Sequence, residues 1–228
     1  MNTRNIRNSI KPPGSESELL ENAGKLAGKT VGQIACEAGL QVPAAQTHAK
    51  GWVGQLIEIV LGATASSLPE PDFQNIGVEL KTLPINHTGR PKESTYVCIV
   101  PLTAGKSPLW EDSIVKRKLS RVLWVPVESD ASITLTQRRV GSAFIWSPDP
   151  QQLAELRSDW QELMDMVCMG ELDQISSKQG KILQIRPKAA DSAALAKTAT
   201  ATGEPGFTLP RGFYLRASFT HTLIKIHL

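Results

Sequence analysis

The chain has 228 residues, with 25 Lys plus Arg against 22 Asp plus Glu for a formal net charge of +3, and 41% of it is hydrophobic. That length buries a sizeable core in one large domain or two closely joined lobes, and the charge balance permits a polyanionic partner without requiring one. Three scattered cysteines without metal-ligand spacing exclude a disulfide framework, and an apolar stretch limited to Trp52–Ala65 and interrupted by Glu58 excludes a membrane span.

Residues 1–14 have no apolar leader, end in Pro12-Pro13-Gly14 and read as a flexible N-terminus, so the expected location is the cytoplasm. Residues 15–228 read as a single folding unit. Ser15-x-x-Glu18 before Leu19, Leu20, Ala23 and Leu26 predicts a capped amphipathic helix, and Thr30-x-x-Gln33 predicts a second, ending near Gly39. Gly51–Leu61 predicts a third. Strands are expected over Gly77–Thr82, Tyr96–Leu102 and Val122–Val127, which are β-branched and apolar between turn residues. Leu153, Leu156, Trp160, Leu163, Met164 and Val167 recur at helical spacing up to Gly170. Short strands (Lys181–Arg186, Phe213–Arg216), a helix around Ser192–Thr198 and another after Ser218 complete the α/β pattern. From Lys178 onward eight basic residues face two acidic ones, which makes this C-terminal stretch the basic one. The cysteines are expected to be small buried residues.

The chemistry concentrates in Pro71-Asp72-Phe73-Gln74-Asn75-Ile76-Gly77-Val78-Glu79-Leu80-Lys81. In a strand, alternation places Glu79 and Lys81 on one face and Val78 and Leu80 on the other. Asp72 is near enough to turn back through Asn75–Gly77 and bring a second carboxylate beside the first. Two carboxylates and an adjacent ammonium suit phosphodiester hydrolysis with Mg²⁺, a hard ion that takes a few carboxylates plus waters. The same spacing also fits a turn Asp followed by an exposed Glu/Lys pair. Glu58, alone among apolar neighbours, serves a metal, pairs with Lys50 or another cation, or sits on an exposed edge of the helix. Lys116-Arg117-Lys118 and Arg121 read either as a solvated run or as phosphate-facing cations. Arg186-Pro187-Lys188 and Phe213-Tyr214-Leu215-Arg216 offer guanidinium and aromatic groups of the kind that read bases, although surface charge and core packing account for them equally. The four histidines show no metal spacing.

The blocks KGWVGQLIE (50–58), DFQNIGVELKTLP (72–84), KLSRVLWVPVE (118–128), QRRVGSAFIWSP (137–148), LQIRPKAA (183–190) and LPRGFYLRASF (209–219) resemble the MutH family, in order, from about Ser15 to the last helix. The resemblance implies a restriction-endonuclease-like fold of the PD-(D/E)xK superfamily, a mixed sheet flanked by helices, with two lobes around a DNA-binding cleft. It implies a monomeric, Mg²⁺-dependent enzyme that nicks the unmethylated strand of hemimethylated GATC in mismatch repair, stimulated by MutL acting with MutS and ATP. In that family's terms Asp72, Glu79, the Leu80 carbonyl and Glu58 hold Mg²⁺, Lys81 assists the attacking water, and Lys118 is a second active-site lysine. Lys50 matches a cleft lysine, and Arg186, Lys188 and Tyr214 match positions that read GATC and sense adenine methylation. Tyr96 stands where the family is expected to carry a DNA-contacting Phe, so stacking survives and an added hydroxyl needs a partner. A restriction enzyme cutting both strands of GATC and a non-catalytic DNA-binding module are the alternatives.

Overall fold

The computed structural model describes residues 6–7, 9–43, 51–65, 68–102, 108–176, 178–188, 196–199 and 205–227. They divide into two compact units, one made of residues 1–93, 120–147 and 221–228, the other of 94–119 and 148–220.

In the first unit, α1 (Glu16–Gly24), α2 (Val31–Glu37) and α3 (Trp52–Leu61) precede the sheet. The expected caps are present: the Ser15 side chain accepts from the Glu18 N–H, and Thr30 and Gln33 form a reciprocal capping box. Strand β1 (Glu79–Ile85) pairs in parallel with β3 (Val122–Glu128), Glu79 opposite Val122, and β3 pairs antiparallel with β4 (Phe144–Trp146). Val122 to Val127 are all buried, as a continuous apolar run flanked by strands on both edges must be. One core joins Leu19 and Ala23 of α1, Val31 and Ile34 of α2, and Leu56, Ile57 and Leu61 of α3 to Leu80, Leu123 and Val125 of the sheet. The strand expected over Gly77–Thr82 begins at Glu79 instead, because residues up to Val78 are spent on a tight turn.

In the second unit, β8 (Arg211–Leu215) is the central strand of an antiparallel sheet between β2 (Thr95–Ile99) and β5 (Leu183–Pro187). Helix α4 (Ile114–Leu119) and the long α5 (Pro150–Cys168) belong here. The apolar stripe of α5 is buried from Leu156 to Val167, with Trp160 against Trp110, ring centroids 5.6 Å apart, whereas Leu153, which the periodicity included, is exposed in the first turn. Buried on the same helix is Asp159, whose carboxylate accepts the N–H groups of Lys181 (2.9 Å), Ile182 (2.7 Å) and Leu183 (2.8 Å). That occupation of main-chain donors explains why the strand expected from Lys181 starts only at Leu183. The Arg216 guanidinium closes the same turn, donating to the carbonyls of Gly180 (3.0 Å) and Gln179 (2.7 Å).

The helix expected around Ser192–Thr198 is not formed where it is described. Residues Ala196–Ala199 are a strand, β6, paired antiparallel with β7 (Pro205–Thr208), so hairpin pairing overrides the helix propensity of alanine. Residues 192–195 lie outside the described residues. The last helix, α6 (Ala217–His227), follows Leu215 as expected. Among the cysteines only Cys98 is buried; Cys36 is exposed on α2 and Cys168 is half-buried. No described helix is long and apolar enough to cross a membrane.

Replacing Asp159 by Ala leaves three main-chain donors without their acceptor, and the expected loss of unfolding free energy is roughly 3 kcal/mol. Urea unfolding of Asp159→Ala measures it; a loss below about 1 kcal/mol would mean that water satisfies those donors and that the carboxylate does not hold the turn.

Candidate active site

Helix α3 stops at Gly62, a left-handed C-cap with φ +79°. The chain then runs to Asp72, whose carbonyl accepts the N–H groups of Thr64 (2.8 Å) and Ala65 (3.2 Å). From there Phe73 and Val78 exchange hydrogen bonds (Phe73 N–H to Val78 O, 2.9 Å; Val78 N–H to Phe73 O, 3.3 Å) around a turn that requires Gly77 at φ +66°. The turn folds the Asp72 carboxylate back over β1, where its Oδ2 accepts the Leu80 N–H at 2.9 Å. Glu79, at the start of the same strand, is 1% exposed, and its Oε1 accepts from Lys81 Nζ at 2.5 Å. Alternation along β1 thus places the Glu79 carboxylate and the Lys81 ammonium on one face.

Burial pushes the Asp72 carboxyl up to about 7, with the Glu79 charge adding to the rise; the Leu80 N–H and the Lys81 ammonium oppose it, and Glu58 contributes a further small increase. Two carboxylates sharing a dry site are poor neighbours unless a cation joins them. Among the described residues, the Leu80 N–H is the hydrogen bond made to the Asp72 carboxylate, which leaves its second oxygen open to such a cation. No described group of three or more His, Cys, Asp or Glu side chains is gathered closely enough to enclose a metal ion. Mg²⁺ does not need one, since it takes one or two carboxylates and keeps several waters. The donors present, Asp72 and Glu79 with main-chain oxygen beside them, therefore fit a hard divalent ion. Glu58 is on α3 with its side chain 23% exposed, and its Oε2 lies 3.4 Å from Arg7 Nη2, so the cation expected to balance it comes from the N-terminal segment.

The first unit brings together Asp72, Glu79, Leu80 and Lys81, with Glu58 near enough to be felt by Asp72. Lys118 is half-buried at the end of α4 in the second unit. Lys50 lies outside the described residues. Arg121, read as part of a basic run, is instead held by Glu16, from Nε at 2.8 Å and from Nη2 at 2.5 Å. That pair closes α1 onto the chain entering β3. Arg139 likewise donates to the Gly28 carbonyl at 2.7 Å.

The second unit gathers the other candidates on one sheet face. Tyr96, Tyr214 and Gln184 stand in a row across β2, β8 and β5, and Gly212 stands opposite Arg186 in the next row. The Tyr96 and Tyr214 rings meet edge to face with centroids 5.4 Å apart, and Lys188 Nζ lies 3.9 Å from the Tyr96 ring centroid. Burial pushes the Tyr96 phenol above its ordinary value. Three members of this face, Gly212, Gln184 and Ser94, were not singled out from the sequence. A Cβ at Gly212 would lie 2.9 Å from Tyr96 Cε2 and 3.0 Å from Tyr214 Cε2, so only glycine lets both rings settle there. The buried Gln184 donates to Ser94 Oγ at 2.7 Å, and Arg186 Nη1 donates to the same oxygen at 3.4 Å. A glycine inside the apolar strand β8 was the one legible hint, since it marks a close approach.

Comparison with known proteins shows the family to which the chain belongs. The family model described as MutH, DNA mismatch repair enzyme MutH, matches residues 61–159. The DNA mismatch repair protein MutH of Salmonella paratyphi C (strain RKS4594) is 51% identical over 218 residues, covering 96% of this chain and 94% of its own length. The proteins of the same description from Salmonella choleraesuis (strain SC-B67) and Salmonella newport (strain SL254) give the same figures.

The raised Asp72 value makes a stability prediction. The folded chain keeps a proton that the unfolded chain releases between the ordinary carboxylate value of 3.8 and about 7, so stability falls as pH rises across that window and is level above it. Asp72→Asn removes the charge and keeps an acceptor for the Leu80 N–H. In EDTA it is expected to be more stable than wild type at pH 8, by up to about 4 kcal/mol, with the gap closing toward pH 4. Thermal unfolding across that range tests this, and a variant no more stable than wild type at pH 8 contradicts it.

Proposed function

Because the chain belongs to the MutH family of DNA mismatch repair endonucleases, which has a restriction-endonuclease-like fold, we propose that it is a Mg²⁺-dependent enzyme that nicks the unmethylated strand of hemimethylated GATC. The observation that carries this reading is the turn that seats Asp72 on the Leu80 N–H beside the Glu79–Lys81 pair. Buried acid and base of this kind serve phosphodiester hydrolysis.

In this reading Asp72, Glu79, the Leu80 carbonyl and Glu58 hold the ion. Bound there, Mg²⁺ supplies Lewis-acid polarisation of the scissile phosphate and lowers the pKa of a water. Lys81 starts from its contact with Glu79, its aliphatic stem buried along β1, and turns its ammonium to the attacking water and the charge growing on the phosphate oxygens. Lys118 is a second cation for the same charge, and Lys50 a further contact to DNA. Exclusion of water around Glu79 strengthens each of these interactions.

Recognition is the work of the second unit. Arg186, exposed at the end of β5, suits a bidentate grip on guanine O6 and N7. Tyr214, with Tyr96 and Lys188 behind it, forms a close-fitting wall. Adenine N6 lies in the major groove, where a methyl group replaces a donor hydrogen and adds bulk that such a wall rejects, so only the unmethylated strand is cut. The enzyme acts as a monomer in the cytoplasm, and its cutting is stimulated by MutL, with MutS and ATP acting upstream.

The test is incubation with Mg²⁺ and three matched duplexes carrying unmethylated, hemimethylated or fully methylated GATC, with each strand resolved. Nicking confined to the unmethylated strand, enhanced by MutL and abolished by EDTA, is expected. Asp72→Ala or Lys81→Ala is expected to lower the rate roughly 10³-fold or more. Tyr214→Ala is expected to cut the methylated strand more readily while keeping the rate on unmethylated DNA within about tenfold. Double-strand cleavage regardless of partner would instead make the protein a restriction enzyme, and binding without any cut would leave a DNA-binding module.

A further inference from the structure

The sheet face of the second unit contains a hydroxyl whose hydrogen bonding is only two-thirds complete. Ser94 immediately precedes β2 and is half-buried. Its Oγ accepts the Nε2–H of Gln184 at 2.7 Å and an Nη1–H of Arg186 at 3.4 Å. A serine hydroxyl has two acceptor sites and one donor hydrogen. Both acceptor sites are used, so the hydrogen is left to donate, and among the described residues no group accepts it. Gln184 is 5% exposed, which makes its amide a fixed point that pins the Ser94 oxygen from the protein side. The hydroxyl is thereby held beside the guanidinium that it steadies.

We propose that Ser94 is a specificity-determining contact to DNA: it fixes Arg186 at Nη1 and donates its own hydrogen to an acceptor on a base edge in the major groove. The inference rests on the reading of Arg186 as a base-contacting residue. The guanidinium has five N–H donors, and commitment of one at Nη1 to Ser94 leaves the others for a bidentate pair with guanine. A hydroxyl within reach of that guanidinium meets the next acceptor along the same edge, N7 of a purine or O4 of thymine, all of which GATC presents. Ser94 carries no charge, so its contribution lies in choice of sequence and not in attraction to phosphate.

Binding in EDTA, followed by fluorescence anisotropy on a GATC duplex and on a duplex with one base pair of the site changed, tests this without relying on cleavage. Ser94→Ala is expected to shrink the ratio of the two dissociation constants roughly tenfold, with the salt dependence of binding unchanged. Ser94→Thr, which keeps the hydroxyl, retains most of the ratio. Thermal unfolding of both variants reports folding, and a folded Ser94→Ala with the wild-type ratio overturns the proposal. Equal weakening on both duplexes also overturns it, since that places the hydroxyl on a phosphate. Arg186→Ala separates this from the reading beneath it: loss of preference there with none in Ser94→Ala removes Ser94 alone, whereas a retained preference in Arg186→Ala removes both.

Discussion

The Glu79 carboxylate and the Lys81 ammonium stand at the start of β1 with the Asp72 carboxylate folded back over that strand, and the surrounding first unit has to tolerate this cluster of charge. Burying like charges together is unfavourable by several kcal/mol unless each finds a counter-charge or a donor. Here the Leu80 N–H, the Lys81 ammonium and, at Glu58, the Arg7 guanidinium supply that compensation. The compensation is incomplete at Asp72, whose carboxyl stays well above its ordinary range. A site left unsatisfied in this way costs stability that a bound cation would return.

Several local features exist to hold that arrangement. Gly77 permits the left-handed turn that carries Asp72 back, and Gly62 ends α3 where the N-terminal segment crosses it, a Cβ there falling 2.9 Å from the Lys11 carbonyl. The Asn75 side chain donates to the Pro13 carbonyl at 2.7 Å, which ties the same segment to the turn. Ile6 and Pro13 are buried. Residues near the N-terminus that read as flexible thus include side chains packed against the acidic site, because apolar burial and one asparagine amide act where composition alone saw only Pro-Pro-Gly.

The second unit solves a different problem, that of presenting polar and aromatic groups from a sheet without letting them wander. Asp159 and Arg216 clamp the turn before β5, Gly212 makes room for two tyrosine rings, and Ser94 with Gln184 steadies Arg186. Groups held by main-chain and buried partners lose little further freedom on binding, which favours selectivity over mere attraction.

By itself the sequence determined the elements whose signals are local. Capping residues placed α1 and α2, apolar periodicity placed α5, and the continuous run Val122–Val127 placed the central strand, because these patterns depend only on neighbours a few residues away. The short-range chemistry was equally legible: Asp72, Glu79 and Lys81 are separated by one turn and one strand alternation, so their meeting follows from spacing. Only the tertiary structure decided which oppositely charged partners meet Glu58 and Arg121, since Arg7 and Glu16 lie 51 and 105 residues away from them. It also decided that Ala196–Ala199 is a strand, and that Gly212, Ser94 and Gln184 support the sheet face. Long-range pairing leaves no trace in local pattern, because what selects those residues is the position of a ring, a carboxylate or a guanidinium brought in from another strand.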